Sequence, residues 1–468
     1  MVFSSLSFLI VFLPLLLALY FLTPARLRRV RNLILLAFSL AFYGCAGLRF
    51  LPLMLVSIAI NYLGGLLCGS SRKAVRRVGV WGAAALGLAL LGYFKYAGFF
   101  VRSVNALGAS LPVPNITLPI GISFFTFQGL SYVVDVWRGD AAVQKNPLKV
   151  ALYISLFPQL VAGPIVRYTT VAGEIDDRRE SVSEFSAGAQ RFCFGLGKKM
   201  LLANGIAAVA DAAFGAAAPS AAFAWLGALA YTLQIYFDFS AYSDMAIGLG
   251  RMFGFHFLEN FNYPYIADSV TDFWRRWHIS LSTWFRDYVY IPLGGNRCAP
   301  ARHIFNLFAV WFLTGLWHGA SWNFVCWGLW YFLLLLGEKY VWGRALSRCP
   351  AAIRHIGAML AVVLGWVLFR ADGLSAAVGY LRAMFGANGA FSGQAVYYIL
   401  EYWPEWLLGL IAIFPVAGAA QKKLAAKSGK LAAAALALGP KLLALMLLAL
   451  SYVSLVSGSF NPFIYFRF

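Results

Sequence analysis

Charge is scarce in this sequence. Aspartate, glutamate, lysine and arginine make up only 12% of its 468 residues, about half the share usual for a soluble domain. Carboxylates are scarcer still, with 18 acidic residues against 38 basic ones. The six cysteines, at positions 45, 68, 193, 298, 326 and 349, form no CxxC pair and mostly lie within or beside apolar runs. That spacing argues against a disulfide framework or a zinc site. No phosphate-binding loop, dinucleotide fingerprint, HExxH helix or GxSxG elbow occurs in a convincing context.

Apolar sequence fills the space. Hydrophobic residues are 61% of the chain, leaving too little polar surface to cover them in water. Many runs reach the roughly 20 residues that cross a bilayer, and helices satisfy their own backbone hydrogen bonds there. The expected fold is an all-α polytopic integral membrane protein, a single domain over residues 1–468. Spans are expected near 5–22, 32–48, 50–68, 79–100, 188–214, 222–250, 354–370, 396–419 and 437–458. Broken or re-entrant segments are expected at 120–136 and 148–167, where Pro119, Pro158 and Pro164 interrupt the pattern. The total is eleven to thirteen membrane segments. Basic residues gather in short connections, such as Arg26, Arg28, Arg29 and Arg31, or Lys422, Lys423, Lys427 and Lys430. The net charge of +20 is therefore read as topology and not as a nucleic-acid surface. It places both termini outside. No basic residue precedes the run from Leu6 to Leu22, so that run is read as a retained first span and not a cleaved signal.

Ionisable residues inside a bilayer cost roughly 2.5–3.5 kcal/mol each at a helix centre, which makes every one a functional candidate. His318 sits in TGLWHGASWNF, with no charged residue within ten positions on either side. A neutral imidazole there can take a proton from a hydroxyl, or can simply bond a neighbouring carbonyl. Residues 303–336 carry basic residues on both flanks, which favours two helices broken at His318-Gly319-Ala320 over one tilted helix. Asn323 adds a polar group beside that break. Residues 268–290 read as one amphipathic helix within 268–295, capped by Ser269 and Asp272. It lies either at the interface or in a protein-lined cavity. His278 could face such a cavity, and Arg275 and Arg276 could attract an anionic donor. Asp238 and Asp244 need partners, for which arginines of that amphipathic helix are candidates, and serve either architecture or function. The closing SFNPFIYFRF reads as an interfacial aromatic anchor, though its Tyr465 hydroxyl could accept an acyl group.

On composition alone a transporter, with His318 and Asp238 in a proton pathway, competes with an enzyme. Several long phrases in order weigh against it. YFKYAGFF, LPIGISFFTFQGLSYVVDVWRG, FPQLVAGPIVRY, YFDFSAYSDMAIG, NFNYPY, FWRRWHISLSTWFRDYVYIPLGG and GLWHGASWNF together resemble the membrane-bound O-acyltransferase superfamily. The likeness is to its bacterial branch, which acylates alginate, peptidoglycan and teichoic acid. The resemblance implies a ring of helices around a thin centre, with a cytoplasmic donor entrance and an outward acceptor funnel. It also implies that His318 is catalytic, that His278 is the second site histidine, and that Tyr465 is a possible acyl relay. The function so implied is O-acetylation of an exported or cell-wall polysaccharide. The donor would be acetyl-CoA and no metal would be needed. The chain would sit in the bacterial inner membrane and work with a periplasmic or extracellular O-acetyltransferase.

Overall fold

The computed structural model describes residues 1–161, 163–427, 429–458 and 463–464. Among them every regular element is a helix, the economical solution for backbone in lipid. Five helices are long and apolar enough to cross a membrane: Leu48–Cys68, Lys73–Asn105, Val182–Gly215, Ala351–Arg370 and Lys430–Val456. The bent pair Trp403–Ala412 and Val416–Ala425 would be a sixth. Long apolar helices alone therefore do not reach the expected eleven to thirteen segments. The other expected segments are helical too, but they are short, broken, or rich in tyrosine, tryptophan and polar side chains. The class expected from the sequence, an all-α polytopic membrane protein, holds.

Contacts divide the chain into two compact units, Met1–Phe192 with Tyr242–Leu258, and Cys193–Ala241 with Glu259–Phe468. In the first, the Leu51–Cys68 and Lys73–Leu91 helices approach through glycines. A methyl group on Gly64 would sit 2.7 Å from Ala83 Cβ, and one on Gly79 would sit 2.9 Å from the Cys68 backbone nitrogen. Small residues at crossings permit van der Waals association where lipid removes the hydrophobic drive. Phe3 stacks on Tyr242 at 4.6 Å and is ringed by Phe8, Phe42 and Phe157.

The hydrophilic 169–186 loop closes a polar network in this unit. Arg178 is buried and donates to the Tyr20 hydroxyl and the Phe253 carbonyl, each at 2.9 Å. Glu180 accepts from Tyr20 and Arg28 and pairs with Arg31 at 3.1 Å. Burial pushes the Glu180 carboxyl up, yet its bonds from Arg28 and Tyr20 win and hold it down at about 2, against an ordinary 4.5.

In the second unit an apolar core joins the Ala351–Arg370 helix to Ala224 and Ala228 and to a helix at Leu374–Met384. That last helix was not foreseen, being short, with 11 residues. One expected element is corrected. The amphipathic helix of 268–290 is not continuous: Val270–Arg276 and Ile279–Phe285 are separate, parted at Trp277 and His278. The cause is His278, whose φ of 44° is left-handed, a conformation that cannot continue a right-handed helix. The break at His318 falls where the sequence placed it, with Pro300–His318 and Trp322–Tyr340 as separate helices.

Candidate active site

His318 is the last residue of its helix, and the next helix returns alongside it. The return is tight because glycines line the crossing. A Cβ on Gly315 would lie 2.5 Å from the Phe324 carbonyl oxygen, and one on Gly328 would lie 2.3 Å from that of Trp311. The His318 ring is 3% exposed. It packs edge-on against Trp317, Trp327 and Phe369 at centroid distances of 5.0, 4.9 and 5.2 Å. Asn323 ties the hairpin to the Ala351–Arg370 helix, donating to the Leu368 and Ala371 carbonyls at 3.3 and 3.0 Å.

His278 is fixed by different means. The Ser269 hydroxyl caps the first short helix by accepting the Asp272 N–H at 3.0 Å. A distant carboxylate, Glu338, accepts the Val270 and Thr271 N–H groups at 2.6 and 2.9 Å. Across the break, the irregular 260–262 segment stitches the two helices together: Asn262 N–H donates to the Arg276 carbonyl at 2.9 Å, and Ile279 N–H to that of Asn260 at 3.0 Å. The imidazole is 1% exposed, with Nδ1 3.1 Å from Asn260 Oδ1. Nε2 has no hydrogen-bond partner among the described residues. The His278 and His318 ring centroids are 6.5 Å apart. That is too far for a direct ring-to-ring bond, and close enough for one hydroxyl to reach both rings.

A cavity of about 380 Å³ reaches His278, one of this pair. His303, Leu307, Val310, Trp311 and Thr314 line it along one face of the Pro300–His318 helix. The next residue on that face is His318, four positions beyond Thr314. At 1.5 Å per residue the lined stretch runs roughly 16 Å. Arg275, His278 and Ser282 form part of the opposite wall, and Lys339 and Tyr290 also line it. His303 lies between two tyrosines, its Nδ1 2.7 Å from the Tyr340 hydroxyl and its Nε2 2.8 Å from that of Tyr290. A second cavity, of about 250 Å³, is lined by Ser321, Asn323, Phe369, Arg370, Asp372 and Ile464. Phe369 thus touches both this space and the His318 ring.

The structure sets His278 and Arg275 on the wall of the first cavity, with the His318 ring 6.5 Å from that of His278, and sets Asn323 on the second. Arg276 is not on either wall and pairs instead with Asp272 at 2.7 Å. The two aspartates pair with cations outside the amphipathic helices, where the sequence suggested arginines of those helices. Asp238 pairs with Lys199 at 2.8 Å and accepts the Ile464 N–H at 2.9 Å. Asp244, in the other unit, pairs with Arg191 at 2.8 Å. Tyr465 lies outside the described residues. Sequence reasoning passed over His303, Lys339 and Asn260. His303 carried a signal, its fifteen-residue offset from His318 on one helical face; Asn260, in a loop, carried none. Among the described residues no group of three histidine, cysteine or carboxylate side chains could hold a metal ion.

A charged cavity that reaches one buried histidine, with a second 6.5 Å away, suits acyl transfer, and comparison with known proteins decides the matter. Residues 89–375 match the model of MBOAT, the membrane-bound O-acyltransferase family. The chain belongs to that family. As an MBOAT protein it is an O-acyltransferase, which displaces the transporter reading. It is 42% identical to the probable alginate O-acetylase AlgI of Azotobacter vinelandii, over 100% of both chains. It is 35% identical to the peptidoglycan O-acetyltransferase of Helicobacter pylori, covering 83% of this chain and 80% of that one. A teichoic acid D-alanyltransferase of Bacillus subtilis is 29% identical over 49% of this chain and 63% of its own. Both histidines fall within the matched residues.

Proposed function

We propose that this MBOAT enzyme takes acetyl from acetyl-CoA on the cytoplasmic side and delivers it outward for O-acetylation of an exported polysaccharide, alginate or peptidoglycan. The observation that carries this reading is the cavity lined by Arg275 and Lys339 that runs along one helical face towards His278 and His318. A guanidinium and an ammonium suit the phosphates of coenzyme A. The relatives of like length act, by their names, on alginate and peptidoglycan, which supports an acetyl group and a glycan hydroxyl. Basic clusters on the inner connections support a donor entrance from the cytoplasm, an inner-membrane location and both termini outside.

In this reading His318 is the general base. The acceptor hydroxyl gives its proton to the imidazole as its oxygen attacks the thioester carbonyl. The carbon–sulfur bond then breaks, and the thiolate recovers the proton to leave as free coenzyme A. A thioester is already activated, so positioning and proton removal suffice. His278 holds a reacting group in place, and the second cavity, with Asn323 on its wall, receives the acceptor. In a two-step form Tyr465 carries the acetyl group as an ester before a periplasmic O-acetyltransferase moves it to the polymer.

The test is purified enzyme in proteoliposomes given acetyl-labelled acetyl-CoA with alginate or peptidoglycan outside, with and without a periplasmic transferase. The expected result is release of coenzyme A matched by label in one polymer or on Tyr465. Absence of both products in every combination would overturn the proposal.

A further inference from the structure

His278 is held by a side chain that leaves it one neutral tautomer. A backbone amide can only donate, so the Ser280 N–H, 3.2 Å from Asn260 Oδ1, identifies that atom as the amide oxygen and not its nitrogen. The Ser280 hydroxyl donates to the same oxygen at 2.8 Å. His278 Nδ1, 3.1 Å from that oxygen, must therefore carry a hydrogen. A neutral imidazole has only one N–H, so Nε2 presents a lone pair. The backbone agrees with the side chain. The Asn260 carbonyl accepts the Ile279 N–H, so one residue pins both the ring and the left-handed turn beneath it. That turn costs roughly 1–2 kcal/mol, an expense that persists only where the surroundings over-determine it.

We propose that Asn260 is a positioning residue that locks His278 in its Nδ1–H form, so that His278 faces the reaction as a hydrogen-bond acceptor. In that form it orients the acceptor hydroxyl, or the thiol of the departing carrier, and cannot donate to the oxygen of the thioester. The two histidines then divide their work: His278 aligns an O–H or S–H group, and His318 removes the proton. The division of work rests on the acyl-transfer reading above; the tautomer does not.

Nitrogen-15 NMR of histidine-labelled enzyme in detergent reads the tautomer without substrate. The chain has five histidines, and a His278→Gln variant identifies the signal. The expected wild-type spectrum shows a protonated Nδ1 and a bare Nε2 at neutral pH. Asn260→Asp keeps an acceptor at Nδ1 and so keeps that pattern, while the added carboxylate moves the acid limb of the rate profile to higher pH. Asn260→Leu gives mixed tautomers and lowers kcat about ten- to a hundredfold with little change in KM. A wild-type ring protonated at Nε2, or at both nitrogens, overturns the proposal, as does an unchanged pattern in folded Asn260→Leu. If Asn260→Leu does not fold, the wild-type and Asn260→Asp spectra still decide. The predicted spectrum in a protein that transfers no acetyl would sink the functional reading and leave the tautomer standing.

Discussion

In the first unit, Glu180 gathers Arg28, Arg31 and Tyr20, and Arg178 spends its donors on Tyr20 and backbone carbonyls. In the second, His278 is about as deeply buried as these groups, yet it reaches Asn260 through one nitrogen and leaves the other without a hydrogen-bond partner among the described residues. The first arrangement closes on itself, as buried charge must if it is to stabilise a fold. The second keeps a polar atom unsatisfied at the wall of a cavity, a cost that makes sense where a substrate supplies the missing bond. Burial of polar groups is common to both, and completeness of partnering separates the Glu180 network from His278.

The contrast can be broken most severely at Glu180. Glu180→Ala strands buried guanidinium groups and should cost about 3–5 kcal/mol of stability, read as a lowered unfolding temperature in detergent, with activity per folded molecule retained. Gly328→Ala should cost about 1–3 kcal/mol, because the new methyl meets the Trp311 backbone oxygen, which cannot yield as a flexible side chain could. Its kcat should fall as well, since the crossing sets the position of His318. A pH scan sharpens the comparison further. The Glu180 carboxyl is lowered to about 2 in the fold from an ordinary 4.5, so its contribution is complete above about 4.5 and is lost as pH falls towards 2. Thermal stability should decline across that acid window in the wild type, and Glu180→Gln should lack that component. The smallest effect belongs to the strained turn. His278→Gly should be more stable than His278→Ala by about 1 kcal/mol, the reverse of the order found within a helix, with both inactive.

Much of the fold was legible because apolar runs and basic connections are strong signals in a membrane chain. The helices at Leu51–Cys68, Ile122–Arg138 and Ala351–Arg370 follow the runs closely. The break at His318 was legible from the charges flanking 303–336. The break at His278 was not, because neither glycine nor proline marks it; the left-handed turn is imposed by contacts with Asn260, eighteen residues away. The partners of Asp238 and Asp244 were missed for the same reason. A carboxylate in an apolar run announces that it needs a cation, but Lys199 and Arg191 are chosen by tertiary packing. In the candidate site, His318, His278 and Arg275 were legible from their phrases. The cavity that His278 and Arg275 line depends on a helical face that starts at His303, a residue the sequence reading passed over.

The proposed acyl transfer turns on His318, and the most direct measurement compares acetyl transfer from acetyl-CoA by the wild type and by His318→Ala, with unfolding temperatures taken on the same preparations. The prediction is a rate lower by about 10²–10⁴ at an unfolding temperature close to that of the wild type. A folded His318→Ala enzyme that transfers acetyl at the wild-type rate would contradict it.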